Sequence, residues 1–149
     1  MVTWYMDTSA ALKLVIEERE SMALAEAIDN AEPALVACRL LETEMRRAAQ
    51  RESLLHQDHV SAFLEGIDLY EMPAPLFRQA GLLPGPDLRS LDALHLAAAI
   101  ALDVDAIATY DARLSIAARA VGLDVVQPAR SSSAVLSTAA LEWIRVRRR

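Results

Sequence analysis

Several residue types are scarce in this chain. Of 149 residues one is cysteine (Cys38), one is lysine (Lys13) and four are glycine, at 66, 81, 85 and 122. A lone cysteine excludes an internal disulfide framework and any cysteine-only metal cage, and it suits a reducing compartment. Four scattered glycines leave no P-loop and no glycine-rich phosphate cradle. No Ser-His-Asp order is present. No apolar run reaches the ~20 residues that span a bilayer. The opening MVTWYMDTSAALKLV puts an aspartate where a signal peptide needs an unbroken apolar stretch. The expectation is a soluble, cytoplasmic protein with no membrane partner.

What is present is a core. The chain is 54% apolar and 24% charged, which suffices for one ordinary domain and is too hydrophobic for disorder. A net charge of -6 argues against broad, charge-driven nucleic-acid binding. The charge is unevenly spread. Residues 1–129 hold 10 basic and 20 acidic side chains, whereas 130–149 hold five arginines and one acid, Glu142. A polyanion would have to meet a local basic surface, and acids at that density invite a cation. Of the 15 bases 14 are arginines, whose planar fork suits phosphate.

Strand and helix periods alternate along the chain. VTWYM is a short apolar run ending at Asp7 and reads as a buried strand. Helical spacing begins at Thr8, with Thr8 or Ser9 as N-cap, and returns from Met22 to Asn30. Residues 34–37 form a second strand. Helices follow from Leu40 to about Arg51 and from Gln57 to Gly66, and 67–72 reads as a third strand. Residues 76–83 form a short helix, Ser90 caps a long Ala/Leu helix to about Leu102, and 106–110 is a fourth strand. A helix from Ala112 to Val121 ends on Gly122 as its C′ residue, and 124–126 is a last short strand. Strands separated by helices imply a three-layer α/β/α fold around a mainly parallel sheet of four to five strands. This domain occupies 1–128. Residues 127–133 read as a hinge into a basic helical tail, so 129–149 form a C-terminal extension.

In an open parallel sheet, functional groups gather beyond the carboxyl ends of the strands. Asp7 directly follows the first strand and Asp111 the fourth. Either could simply cap a helix, and Asp92, in a helix's first turn, could simply answer the helix dipole. Glu42 and Glu44 lie about 200° apart around their helix, so only one can face the crevice. Glu42 has Arg46 at i+4 for an exposed ion pair. Glu44 borders the buried Leu41–Met45–Ala48 stripe and points to a cleft edge, which favours it over Glu42. Converging carboxylates repel and raise one another's pKa unless a cation sits among them. Neutralising Asp7 or Asp92 should then stabilise the metal-free protein. An all-oxygen nest suits Mg²⁺, with Mn²⁺ as the other candidate, and not zinc. Such sites activate water for phosphodiester hydrolysis.

Four segments, M-D-T-S-A (6–10), E-M-R-R-A (44–48), L-R-S-L-D-A-L-H-L-A-A-A (88–99) and T-Y-D-A-R-L (109–114), together resemble the PIN domain, and more narrowly the VapC-type toxins of bacterial toxin–antitoxin pairs. The likeness covers about residues 2–128 and leaves 129–149 without a counterpart. It implies a metal-dependent endoribonuclease that cuts tRNA or rRNA and so stops translation. Asp7, Glu44, Asp92 and Asp111 would be its metal-binding and catalytic set. It further implies a homodimer and a cognate antitoxin that inserts a segment into the acidic cleft. Thr109 matches the family's small hydroxyl residue near the fourth acid.

Other residues divide between roles. Arg47, Arg89 and Arg113 are candidates to grip the RNA backbone or to sit in surface ion pairs. Ser9 could bond a phosphate or cap a helix. His95, three residues after Asp92, reads as a hydrogen-bonded helix histidine and not a metal ligand. His56 and His59 read as surface, and Cys38 as a small core residue. Two other functions compete: a PIN nuclease of RNA processing or decay without an antitoxin, and a catalytically silent binding module. The four intact acids count against silence. A phosphotransfer receiver would want a late lysine, and a haloacid-dehalogenase phosphatase an aspartate at position 9, where Ser9 stands.

Overall fold

The computed structural model describes residues 1–129, so most of the expected hinge and the whole of the basic tail lie outside the described residues. Five strands and seven helices are found there: β1 (Thr3–Met6), α1 (Thr8–Lys13), α2 (Ser21–Ala31), β2 (Ala34–Cys38), α3 (Leu40–Arg51), α4 (Gln57–Leu64), β3 (Asp68–Tyr70), α5 (Ala74–Leu82), α6 (Ser90–Ala101), β4 (Ala106–Ala108), α7 (Ala112–Ala120) and β5 (Asp124–Val126). The sheet order is β3-β2-β1-β4-β5, and every pairing is parallel. The expected α/β architecture is present.

The order explains the layers. From β1 to β3 the chain steps along the sheet in one direction, and from β3 through β4 to β5 it returns in the other. Right-handed crossovers therefore put α1–α4 on one face and α5–α7 on the other. In keeping with this, α3 packs on α1 and α4, while α6 packs on α5 and α7. Central strands covered on both faces must be apolar throughout. Trp4, Tyr5, Met6, Leu35, Val36, Ala37, Cys38, Ala106, Ile107 and Ala108 are all buried. The edge strands β3 and β5 are short and partly exposed, which limits their use as templates for unwanted pairing.

In α3 the buried positions are Leu41, Met45 and Ala48, one stripe at helical spacing. Helix α6 buries Ala93 and then every residue from His95 to Ala99, as its Ala/Leu sequence anticipates. Gly122 ends α7 with φ +83°, a conformation that glycine adopts without steric cost. Of the caps the sequence offered at α1, Asp7 and not Thr8 or Ser9 takes the position, and at α6 Arg89 occupies it, one residue before the expected Ser90, which is already helical. At α1 the carboxylate is one residue nearer the strand and reaches the free N–H of Ala10 directly.

The order in which the chain adds strands reverses between β1 and β4, which run side by side with Met6 opposite Ala108. The ladder continues one step past both strands, as Asp7 N–H donates to Ala108 O at 3.2 Å and Thr109 N–H to Val126 O at 3.2 Å. That end of the sheet carries the candidate site.

Candidate active site

Asp7 is set by the end of β1 and the start of α1. It is 3% exposed and accepts from several donors. Ala10 N–H reaches Oδ1 at 3.0 Å, the Ser9 hydroxyl lies 2.8 Å from Oδ1 and 3.0 Å from Oδ2, and Thr109 Oγ1 donates to Oδ2 at 2.7 Å. The two hydroxyls are themselves fixed: Ser9 accepts from Tyr110 N–H at 2.8 Å and Thr109 from Asp111 N–H at 3.1 Å. The start of α1 is thereby stitched to the turn after β4. Burial raises the Asp7 carboxyl above its ordinary value, against the pull of the Ala10, Thr109 and Ser9 donors.

Glu44 comes from α3. Its Oε1 accepts from the Thr8 hydroxyl at 2.8 Å and is also bonded by His95 Nε2. His95, on α6, is 1% exposed. Its other ring nitrogen, Nδ1, lies 2.7 Å from the Tyr5 hydroxyl. That hydroxyl accepts from Cys38 N–H at 3.2 Å and lies 3.0 Å from Cys38 Sγ. Burial alone would lower the imidazole, but its bonds to Cys38 and Glu44 and the Glu44 charge outweigh burial and push it up to about 10. Burial likewise pushes Glu44 up, and the bond and charge of His95 with the Thr8 hydroxyl bring it below its usual value. Glu42 faces the other way, with Arg46 Nη2 3.0 Å from Oε2 in the i,i+4 pair read from the sequence.

The remaining two acids stand at helix starts. Asp111 caps α7, accepting from Leu114 N–H at 2.8 Å. Asp92, in the first turn of α6, is half-buried and accepts no hydrogen bond among the described residues. Burial raises its carboxyl to about 6, helped by the charges of Asp111, Asp7 and Glu44 and opposed by His95. The four carboxylates thus share one electrostatic neighbourhood, assembled from α1, α3, α6 and α7. The donor chemistry, hard oxygens carrying more negative charge than His95 offsets, fits a hard divalent cation. Among the described residues no three His, Cys, Asp or Glu side chains are grouped to hold an ion as they stand.

Arg47, Arg89 and Arg113 are exposed, and none forms an ion pair among the described residues. Arg113 also lines a groove of about 260 Å³ with Pro84, Pro86, Leu88 and Ile116. The contacts of Tyr5, Thr8 and Cys38 were not legible in the sequence. They join residues 33 to 90 positions apart, and no local spacing encodes them. No helix among the described residues is long and apolar enough to cross a membrane.

The chain is similar to known proteins over most of its length. The PIN domain family profile matches residues 4–120. Ribonuclease VapC35 of Mycobacterium tuberculosis is 39% identical over 132 residues, covering 85% of this chain and 98% of that protein. Ribonuclease VapC46 of the same species is 36% identical over 140 residues, covering 86% and 99%. Among solved structures, the Mycobacterium tuberculosis sarcin-ricin loop cleaving toxin VapC20 superposes with a TM-score of 0.63 at 20% identity, covering 85% of this chain and 100% of that one. PAE2754 of Pyrobaculum aerophilum gives 0.57 at 22%, with 84% of each chain covered. At those identities the two structures speak for the fold.

Proposed function

The chain belongs to the PIN domain family, and from that premise we propose that it is an endoribonuclease toxin of the VapC type that hydrolyses RNA at its acidic crevice. The observation that carries this reading is geometric: Thr109 bonds both Asp7 and Asp111, and Glu44 bonds Thr8, beside Asp7, and His95, one helical turn after Asp92, so the four acids border one crevice. The names of the curated relatives, which are ribonucleases, support the same chemistry.

The four acids would hold Mg²⁺, or Mn²⁺ in its place. Such an ion, when bound, lowers the pKa of a water and offsets charge that builds on the phosphate. The protein's own part is orientation. Ser9 and Thr109 hold Asp7 in one rotamer, Thr8 and His95 hold Glu44, and Asp111 is tied into the first turn of α7. Asp92 is the least restrained of the set and the one that can adjust as RNA arrives. Arg47, Arg89 and Arg113 would take the phosphates on either side, since an unpaired guanidinium fork matches phosphate oxygens. The substrate class is tRNA or rRNA, the partners are a cognate antitoxin and a second copy of the chain, and the place of action is the cytoplasm. The domain spans 1–128, with 129–149 as an appended tail.

The test is cleavage of total RNA by the purified chain in Mg²⁺ and in chelator, with 5′ ends mapped beside an Asp7→Asn control. Discrete new ends that need both the metal and Asp7 are expected. Intact RNA with the wild-type chain in Mg²⁺, or full cleavage by Asp7→Asn, would overturn the reading.

A further inference from the structure

We propose that Tyr5 and His95 are positioning residues for Glu44, forming a buried hydrogen-bonded chain that anchors the carboxylate by Oε1 and leaves Oε2 to serve the reaction. The inference rests on the crevice being the ribonuclease site.

Three observations carry it. The first is continuity from rigid structure to the acid. Cys38 N–H, at the end of β2, fixes the Tyr5 hydroxyl, which holds His95 Nδ1 while Nε2 meets Glu44. Tyr5 is wholly buried in the central strand and His95 is 1% exposed, so neither can swing away without opening the core. The second is asymmetry. The bonds from Thr8 and from His95 both end on Oε1, so Oε2 carries neither. A carboxylate gripped at one oxygen keeps the other in a fixed direction. The third is economy of the surroundings. Helix α6 is otherwise Ala and Leu across its buried face, Ala93 and Leu96 to Ala99. An apolar side chain at position 95 would satisfy packing without burying two ring nitrogens, which must then find partners. The partners they find lead to Glu44.

Glu44 needs such an anchor. Its side chain is 23% exposed and projects from a helix by freely rotating bonds, so an unheld carboxylate would sample several rotamers. Partners that orient a functional ligand in this way typically affect affinity or activity by 10–100-fold.

The experiment uses the full chain and RNA cleavage in Mg²⁺, with Glu44→Gln, His95→Leu, His95→Gln, Tyr5→Phe and the Glu44→Gln/His95→Leu double variant, each checked for an unchanged melting profile in outline. His95→Leu should lower kcat by about 10–100-fold with the KM for RNA within a few-fold. His95→Gln, which keeps an amide donor, should recover most of the loss, and Tyr5→Phe should fall between. In the Glu44→Gln background, measured under single turnover, His95→Leu should cost nothing more, because it acts through a carboxylate already disabled. Losses that multiply in the double variant would mean His95 acts through the fold, and would overturn the proposal, as would wild-type kcat in His95→Leu beside a disabled Glu44→Gln. If Glu44→Gln itself cleaves at the wild-type rate, the site assignment fails first. Imidazole ¹⁵N resonances give a readout independent of activity: Tyr5→Phe should move Nδ1 of His95 and Glu44→Gln should move Nε2. An unmoved resonance in either folded variant would break the chain.

Discussion

Asp7 and Asp92 are both aspartates at the edge of one crevice, yet they live under opposite conditions. Asp7 is buried at the sheet and meets Ala10 N–H and the hydroxyls of Ser9 and Thr109. Asp92 is half-exposed on a helix start and accepts no hydrogen bond among the described residues. Both carboxyls are raised, but for Asp7 the cause is burial opposed by donors, whereas for Asp92 other carboxylates add to the shift. One acid is built into the scaffold, and the other is held in place against repulsion. The difference teaches that neighbouring carboxylates in one crevice can include a structural pillar and a loose electrostatic contact side by side. The sequence treated the two alike, expecting either neutralisation to stabilise the metal-free protein. The structure separates them, since Asn at position 7 would offer an amide N–H₂ where a carboxylate oxygen now accepts.

The largest expected effect breaks the pillar. Asp7→Ala should destabilise the domain by roughly 2–4 kcal/mol, combining a lost N-cap with hydroxyls left unpaired in a buried place, as read from chemical denaturation. An unchanged midpoint would show that Ser9 and Thr109 find other partners cheaply. The next effect has the opposite sign. Asp92→Asn should raise the melting temperature in chelator near pH 7.5 by roughly 2–4 °C, about 1 kcal/mol, once solvent screening of a half-exposed group is allowed for. The sign follows from linkage. A carboxyl raised from 3.8 to about 6 on folding imposes no penalty below the lower value, a growing one between the two, and the full one above. The gain from Asn should therefore vanish near pH 4, and a gain that persists there would mean that repulsion is not its source. The smallest effect is a control on helix phase. Glu42→Gln removes partly exposed pairs with Arg46 and Arg39, each worth at most about 0.5 kcal/mol, and should leave cleavage within a few-fold of wild type, far milder than Glu44→Gln. Equal losses would erase the distinction between the two faces of α3.

Much of this was legible in the sequence because it depends on short-range pattern. The switch from an apolar run to helical spacing at Asp7, the turnover of strands and helices, the Leu41–Met45–Ala48 stripe and the Glu42–Arg46 pair are all set by residues within a few positions of one another. At α1 Asp, Thr and Ser in succession each satisfy the same local rule, which left three candidates for one cap, and at α6 the cap position falls on Arg89, one residue before the expected Ser90. The environment of His95 was only half legible. With no further histidine ligands beside it, it read as a hydrogen-bonded helix histidine, but the partners come from β1, from the end of β2 and from α3. Such contacts arise from how layers stack, and a single sequence carries no local record of them. The arginines are exposed as expected, and their role in gripping RNA stands as a proposal because exposure alone does not select a partner.

The ladder bonds that run past the strand ends have a consequence for control. Asp7 and Thr109 hang from the same amide rungs that hold β1, β4 and β5 together. The gap between the first and fourth acidic segments therefore cannot widen or narrow unless the sheet shears, which the packed layers on both faces resist. A molecule that silences this centre has no hinge to pull on there. Any such molecule would have to fill the crevice or pair with its carboxylates where they stand.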